Sequence, residues 1–167
     1  MTVFHKPRAI VVTISDSASR GEREDLSGPA AREELEKIGC EVLKIQVIPD
    51  DQEKIQGCLL EHSENPQIDL VVTTGGTGLS PRDVTPEATL AVIEKEVPGI
   101  EELMRLEGTK ANPRAVLSRA VAGVRSKTLI INLPGSVKGV RESLGAISKI
   151  LGHALEVVSG NTVRCGG

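Results

Sequence analysis

Aromatic side chains are almost absent from this chain. Phe4 is the only one, and there is no Trp or Tyr. Stacking of bases on aromatic platforms is therefore excluded. A purine or other flat ring would have to rest on aliphatic side chains, backbone or Arg. Excess charge of one sign is also missing. The formal net charge is −3 and the pI is near 5.7, which argues against nucleic acid or a membrane surface held by bulk electrostatics. No apolar run reaches the roughly 20 residues that span a bilayer. No charged-then-apolar leader opens the chain. A soluble, cytoplasmic protein is the expectation. Cysteines number three, at 40, 58 and 165, with no CxxC spacing. An odd, scattered set fits reduced thiols and neither a disulfide framework nor a zinc site.

The 167 residues suffice for one domain with a real core. The expectation is a single domain over 1–167, with frayed tails at 1–7 and 161–167. No internal repeat, low-complexity segment or linker interrupts it. Strand and helix patterns alternate. Ala9 to Ile14 reads as a buried strand. Ser27-Gly28-Pro29 opens a helix that Gly39 stops. Glu41 to Ile48 reads as a strand with Leu43, Ile45 and Val47 on one face. Asp50 or Asp51 caps the next helix, whose apolar stripe includes Cys58 and ends at His62, read as packing. Leu70 to Thr73 is a short β-branched strand. A helix is expected over Thr85 to Glu96, broken by Pro98-Gly99, with a further short helix from Ile100 to Leu106. Thr128 to Leu133 is the last buried strand. Ser136 or its neighbour caps a long closing helix stopped by Gly160. The alternation predicts an α/β fold, a three-layer α/β/α domain on a mostly parallel sheet, with an antiparallel edge near Gly123.

One stretch between the third strand and its helix reads either as a ligand loop or as the purely structural glycine turn that often follows a strand. Gly75-Gly76-Thr77-Gly78 makes a loop that can take positive φ and approach a ligand closely. Loop N–H groups with no Cβ in the way suit phosphate oxygens. Arg82-Asp83 follows, and Thr85-Pro86-Glu87 opens a helix with Thr85 as N-cap and Pro86 at the first helical position. The loop is not a Walker A motif, since no Gly-Lys-Ser/Thr follows, and it lacks the Gly-x-Gly-x-x-Gly of dinucleotide-binding folds. Asp50 and Asp83 both lie just past strands, where α/β proteins collect ligands. Two carboxylates beside a phosphate loop would suit Mg²⁺. Ser15 and Asp16 stand at the end of the first strand, as site residues or as ordinary turn formers. Asn132 can both donate and accept toward a heterocycle, or can satisfy the backbone of its own turn.

The stretch from Gly75 to Thr89, together with Ile14-Ser15-Asp16, Ile48-Pro49-Asp50, Leu117-Ser118-Arg119 and Asn132-Leu133-Pro134-Gly135, resembles the molybdopterin-binding family: molybdopterin adenylyltransferases, their bacterial relatives and the gephyrin G domain. The match runs over nearly the whole chain, motifs in order. The resemblance implies the molybdopterin-binding fold and a homotrimer. It implies adenylylation of molybdopterin with Mg²⁺ and ATP in molybdenum cofactor biosynthesis, and a product that can be handed to a molybdenum-insertion protein. Position by position, Asp50 and Asp83 match the functional aspartates, as catalytic residues and Mg²⁺ ligands. Ser118 and Asn132, with Pro134 and Gly135, match the pterin side. Gly75, Gly76, Thr77 and Gly78 match the phosphate loop, and Ser15 and Asp16 the first loop of the pocket. Gly108-Thr109-Lys110 departs from many relatives. The run from Arg119 to Gly123 and the short C-terminus resemble a second bacterial branch. A non-catalytic pterin-binding or scaffold protein is therefore the alternative reading.

Overall fold

The computed structural model describes residues 6–160. Phe4, Cys165 and all of the expected tails except Lys6 and Pro7 lie outside the described residues. Pro7 is already tied to the sheet, its carbonyl accepting from the Glu41 N–H at 2.7 Å.

The chain alternates strand and helix. β1 (Arg8–Ile14) leads to a single helical turn, α1 (Asp16–Ser19), and then to α2 (Ser27–Ile38), β2 (Glu41–Ile48), α3 (Gln52–Ser63) and β3 (Leu70–Thr74). After the glycine loop come α4 (Thr85–Leu90), β4 (Lys95–Glu96), α5 (Pro98–Ala111), a 3-10 turn at Pro113–Leu117, β5 (Ala122–Arg125), β6 (Thr128–Leu133) and α6 (Val137–Ser159). Six strands form one sheet in the order β2-β1-β3-β6-β5-β4. The first four are mutually parallel, and β5 and β4 run antiparallel at one edge. This is the expected α/β class, including the antiparallel edge.

Alternation along the parallel strands splits the core in two. Val11, Leu70, Val72, Leu129, Ile131 and Leu133 face α2, α5 and α6, joined there by Leu35, Leu144, Ile147 and Leu151. Ile10, Val12, Val71 and Ile130 face α3 and α4, against Ile55, Leu59 and Ala88. A sheet buried on both faces needs strands that are apolar throughout, which is why β3 and β6 have no exposed residue. Cys58 and His62 pack as expected. Cys40 and Cys58 are free, buried thiols that burial pushes up to about 11, so neither is reactive at neutral pH. His62 packs at the core edge with Nε2 3.1 Å from Gln46 Oε1. Burial lowers its pKa.

Three local expectations are corrected. Leu43 does not share a face with Ile45. A bulge opposite Ala9 and Ile10 inserts Leu43 into β2, which shifts the register and leaves its side chain 45% exposed. Val42 takes the core position instead. The helix from Thr85 stops at Leu90, not Glu96, and Lys95–Glu96 is β4. The open edge of β5 wins that segment: Glu94 and Val97 donate to the Val124 and Ala122 carbonyls at 2.8 Å each. Pro98 then starts α5 instead of ending a helix, as suits proline in a first turn, and α5 runs past Leu106 to Ala111. Gly108 therefore lies inside a helix and not in a loop. A Cβ there would press on Ala115 at 2.9 Å.

Candidate functional site

β1, β2 and β3 are parallel, so the loops after them gather at one end. Ser15 caps α1, its hydroxyl accepting from Ala18 N–H. Asp16 and Asp50 then lock to each other. Asp16 N–H donates to Asp50 Oδ2 at 2.9 Å, and Asp50 N–H donates to Asp16 Oδ1 at 3.1 Å. Asp51, not Asp50, caps α3 by accepting from Lys54 N–H. Asp50 is thus free of the capping role that residue type alone allowed.

The glycine loop lies across these carboxylates. Gly75 and Gly76 both have positive φ, 95° and 66°. A Cβ at Gly75 would strike the Ile14 carbonyl oxygen, and one at Gly76 would strike Thr85 Oγ1 and approach Asp50. Asp83 curls back under the loop. Its Oδ2 accepts from Ser80 N–H at 2.9 Å and sits beside Gly78. Thr85 is corrected as an N-cap. Its hydroxyl instead donates to the Gly75 carbonyl at 3.0 Å, fully buried, and Val84 stands at the cap position without a side-chain bond. No acceptor among the described residues takes the N–H groups of Gly76, Thr77 or Gly78. Such unpaired loop amides form the concave donor set that binds anions.

Arg119 fixes the loop from the far side. Its backbone N–H donates to Thr77 O at 2.9 Å. Its guanidinium donates to Gly78 O and to Asp83 O, at 2.8 Å each, and pairs with Glu87. That pairing holds the Glu87 carboxyl below the usual range. Sequence reading saw Arg119 only as part of a motif. Arg82 forms a second cross-link, with Nη2 2.7 Å and Nε 3.0 Å from Asp16 Oδ2. Its bond lowers the Asp16 pKa. Neither contact could be found from spacing, because the partners are 66 and 41 residues apart.

Asp50 is electrostatically different. Burial raises its pKa, and the negative charges of Asp16 and Asp83 add to the rise despite the bond to the Asp16 amide. The positive charge of Arg82 opposes this rise. A half-buried carboxylate flanked by two more carboxylates is short of positive charge. No set of three His, Cys, Asp or Glu among the described residues could hold a metal alone. Mg²⁺ fits this donor set, since it is commonly bound by one or two carboxylates with substrate phosphates and water completing the shell.

A cavity of about 210 Å³ lies between α5, the 113–117 turn and the start of α6. Ser118 and Pro134 line it with Met104, Ala120 and Ser143, and none of Asp16, Asp50 or Asp83 does. Gly135 joins the two halves, since a Cβ there would stand 3.2 Å from Gly75 Cα. Asn132 lies apart from the cavity. It is fully buried and points to the opposite face of the sheet. Its Oδ1 accepts from Val121 N–H at 3.1 Å, and its Nδ2 donates to Thr73 and Thr89 hydroxyls at 3.0 and 2.9 Å. The amide holds β6, β3, α4 and the 120–121 segment together and does not reach the cavity.

Residues 10–153 match the family model described as "Probable molybdopterin binding domain". The chain belongs to the molybdopterin-binding domain family. It is 44% identical over 156 residues to the molybdopterin adenylyltransferase of Helicobacter pylori strain J99, covering 92% of this chain and 89% of that protein. It is 40% identical to gephyrin of Dictyostelium discoideum, covering 89% of this chain and 22% of that larger protein. Among solved structures, the molybdopterin biosynthesis enzyme MoaB of Thermus thermophilus superposes with a TM-score of 0.87 at 50% identity, covering 92% of this chain and 96% of that one. The Thermus structure shares the α/β fold. Both the glycine loop and the carboxylates fall inside the matched residues.

Proposed function

We propose that this protein transfers the adenylyl group of ATP to molybdopterin, releasing pyrophosphate, as a step in molybdenum cofactor biosynthesis. One observation carries the reading: a glycine loop with unpaired amides is set directly against Asp50 and Asp83, with a separate cavity beside it for a second substrate. Two polyanionic substrates must meet, so placement and charge neutralisation are the main tasks. The loop amides bind phosphate oxygens. Asp50 and Asp83 would hold Mg²⁺, whose charge would offset that of the phosphates. The cavity at Ser118 and Pro134 takes the pterin. A terminal phosphate oxygen of molybdopterin attacks the α-phosphorus of ATP. The bond from that phosphorus to the bridging oxygen breaks, and its electron pair leaves with pyrophosphate. Arg119 keeps the loop and Asp83 in register by holding their carbonyls. The adenylylated product is then passed to a molybdenum-inserting protein.

The deciding experiment is pyrophosphate release from ATP with Mg²⁺ and molybdopterin. A pterin-binding scaffold would bind molybdopterin and release none. Ser118→Ala tests the pterin side. Losing a partner to a neutral buried hydrogen bond costs about 1–3 kcal/mol, so molybdopterin affinity should fall about 5- to 150-fold. Unchanged affinity would place the pterin outside the cavity.

Assembly as a homotrimer belongs to the same proposal. Leu106, Val116 and Leu117 are more than half exposed on α5 and the turn after it, an apolar surface suited to a subunit contact. Light scattering should give three times the 17.7 kDa chain mass. A monomer at micromolar concentration would exclude the trimer.

A further inference from the structure

We propose that Arg82 binds the pyrophosphate half of the nucleotide, and that Asp16 stores its guanidinium until the nucleotide arrives. This rests on the adenylyl-transfer reading and assigns a residue that the loop and the two aspartates leave out.

Two arginines touch the site, and their environments differ in kind. Arg119 is two-thirds buried and committed to two backbone carbonyls and Glu87. Moving it would dismantle the loop. Arg82 is 66% exposed and rests on one carboxylate oxygen of Asp16. An exposed ion pair of this sort contributes little to stability and exchanges readily. Asp16 is itself locked to Asp50 by paired backbone-to-carboxylate bonds, so the guanidinium stands at the edge of the acidic cluster. It is therefore a mobile cation held at the mouth of an acidic cluster.

The charge balance requires such a group. Asp16, Asp50 and Asp83 would repel a triphosphate. One divalent ion shared by Asp50 and Asp83 does not cancel three carboxylates and the nucleotide together. Arginine presents a planar fork that matches two phosphate oxygens at once. When it turns from Asp16 to phosphate, one charge-assisted pair replaces another. Position selects the pyrophosphate half. Gly75 and Thr77 are buried, whereas Leu79, Ser80, Pro81 and Arg82 are exposed. An α-phosphate at the glycine loop thus directs the leaving end of the nucleotide outward, past Arg82.

The test is binding of magnesium pyrophosphate and of AMP by isothermal titration calorimetry, to the parent and to Arg82→Ala, Arg82→Lys and Arg141→Ala. Arg141 pairs with Glu33 on α6 and α2, so its variant controls for the loss of one positive charge. Arg82→Ala should weaken magnesium pyrophosphate about 10- to 100-fold, the scale of a charge-assisted hydrogen bond. AMP and molybdopterin affinities should change less than about threefold, and KM for ATP should rise with the pyrophosphate Kd. Arg82→Lys keeps the charge without the fork and should fall between. Equal weakening of AMP and pyrophosphate would mean that Arg82 acts only by supporting Asp16 and Asp50, and would overturn the proposal. So would unchanged pyrophosphate binding in Arg82→Ala, or an equal loss in Arg141→Ala. A parent that binds neither ligand and releases no pyrophosphate would remove the adenylyl-transfer reading itself, and this inference with it.

Discussion

Asp50→Asn and Asp83→Asn should each cut pyrophosphate release at least about a hundredfold, the scale of losing an electrostatic catalytic group, while the fold stays intact. Asparagine keeps the side-chain oxygen that accepts from Asp16 N–H or Ser80 N–H. It removes the charge. For Asp50 the sign of the stability change can be worked out. Its pKa in the folded chain is raised, chiefly by burial, so the folded state binds the proton more tightly than the unfolded chain does. Ionising Asp50 therefore costs stability. That cost is present above the folded pKa and disappears as the pH falls below the unfolded one. At pH 7, Asp50→Asn should melt at or above the parent temperature. Molybdopterin binding should survive in both variants, since neither aspartate lines the cavity. Far-UV circular dichroism is the appropriate probe, because there is no Trp or Tyr to report. Parent-level turnover in both variants would show the aspartates to be structural. A melt clearly below the parent for Asp50→Asn would contradict the electrostatic account.

Asn132→Ala should act in the opposite way, through stability and not through contact with the pterin. The substitution strands the buried Val121 N–H and removes the partner of the Thr73 and Thr89 hydroxyls. An unsatisfied buried donor costs about 1–3 kcal/mol. With the lost packing, a destabilisation of about 2–4 kcal/mol is expected. For a domain of this size that lowers the Tm by roughly 5–15 °C. Well below the new melt, molybdopterin affinity should change far less than in Ser118→Ala. The reverse result, a parent-like melt with affinity lost, would make Asn132 a direct ligand after all. The pair separates two residues that looked equivalent in the sequence and that the structure puts on opposite faces of the sheet.

Most of the fold was legible because its signals are local. Gly39 and Gly160 end their helices in the left-handed conformation. Ser136 caps α6 by accepting from Gly139 N–H. The β-branched runs of β1, β3 and β6 could be nothing but buried strands once helices alternated with them. Errors arose where a neighbour competed with local preference. Thr85 is a good N-cap residue, but a buried carbonyl on Gly75 lay within reach. Val92 continued a helical apolar pattern, but the unpaired edge of β5 offered hydrogen bonds to the segment after it. A single bulge turned Leu43 outward, which no pattern of period two can foresee.

The sequence by itself determined the class of fold and the family, and it offered a glycine loop that can expose its amides and carboxylates at strand ends. These depend on residue type and near-neighbour spacing, and such information is written along the chain. Only the tertiary structure decided how the ingredients are wired. It made Asp51 the cap and paired Asp50 with Asp16. It committed Arg119 to the loop and left Arg82 exposed, paired with Asp16. It turned Asn132 inward. The reason is physical. A polar side chain takes whichever partner leaves fewest buried groups unmatched, and those partners are brought close by strand order, not by sequence distance.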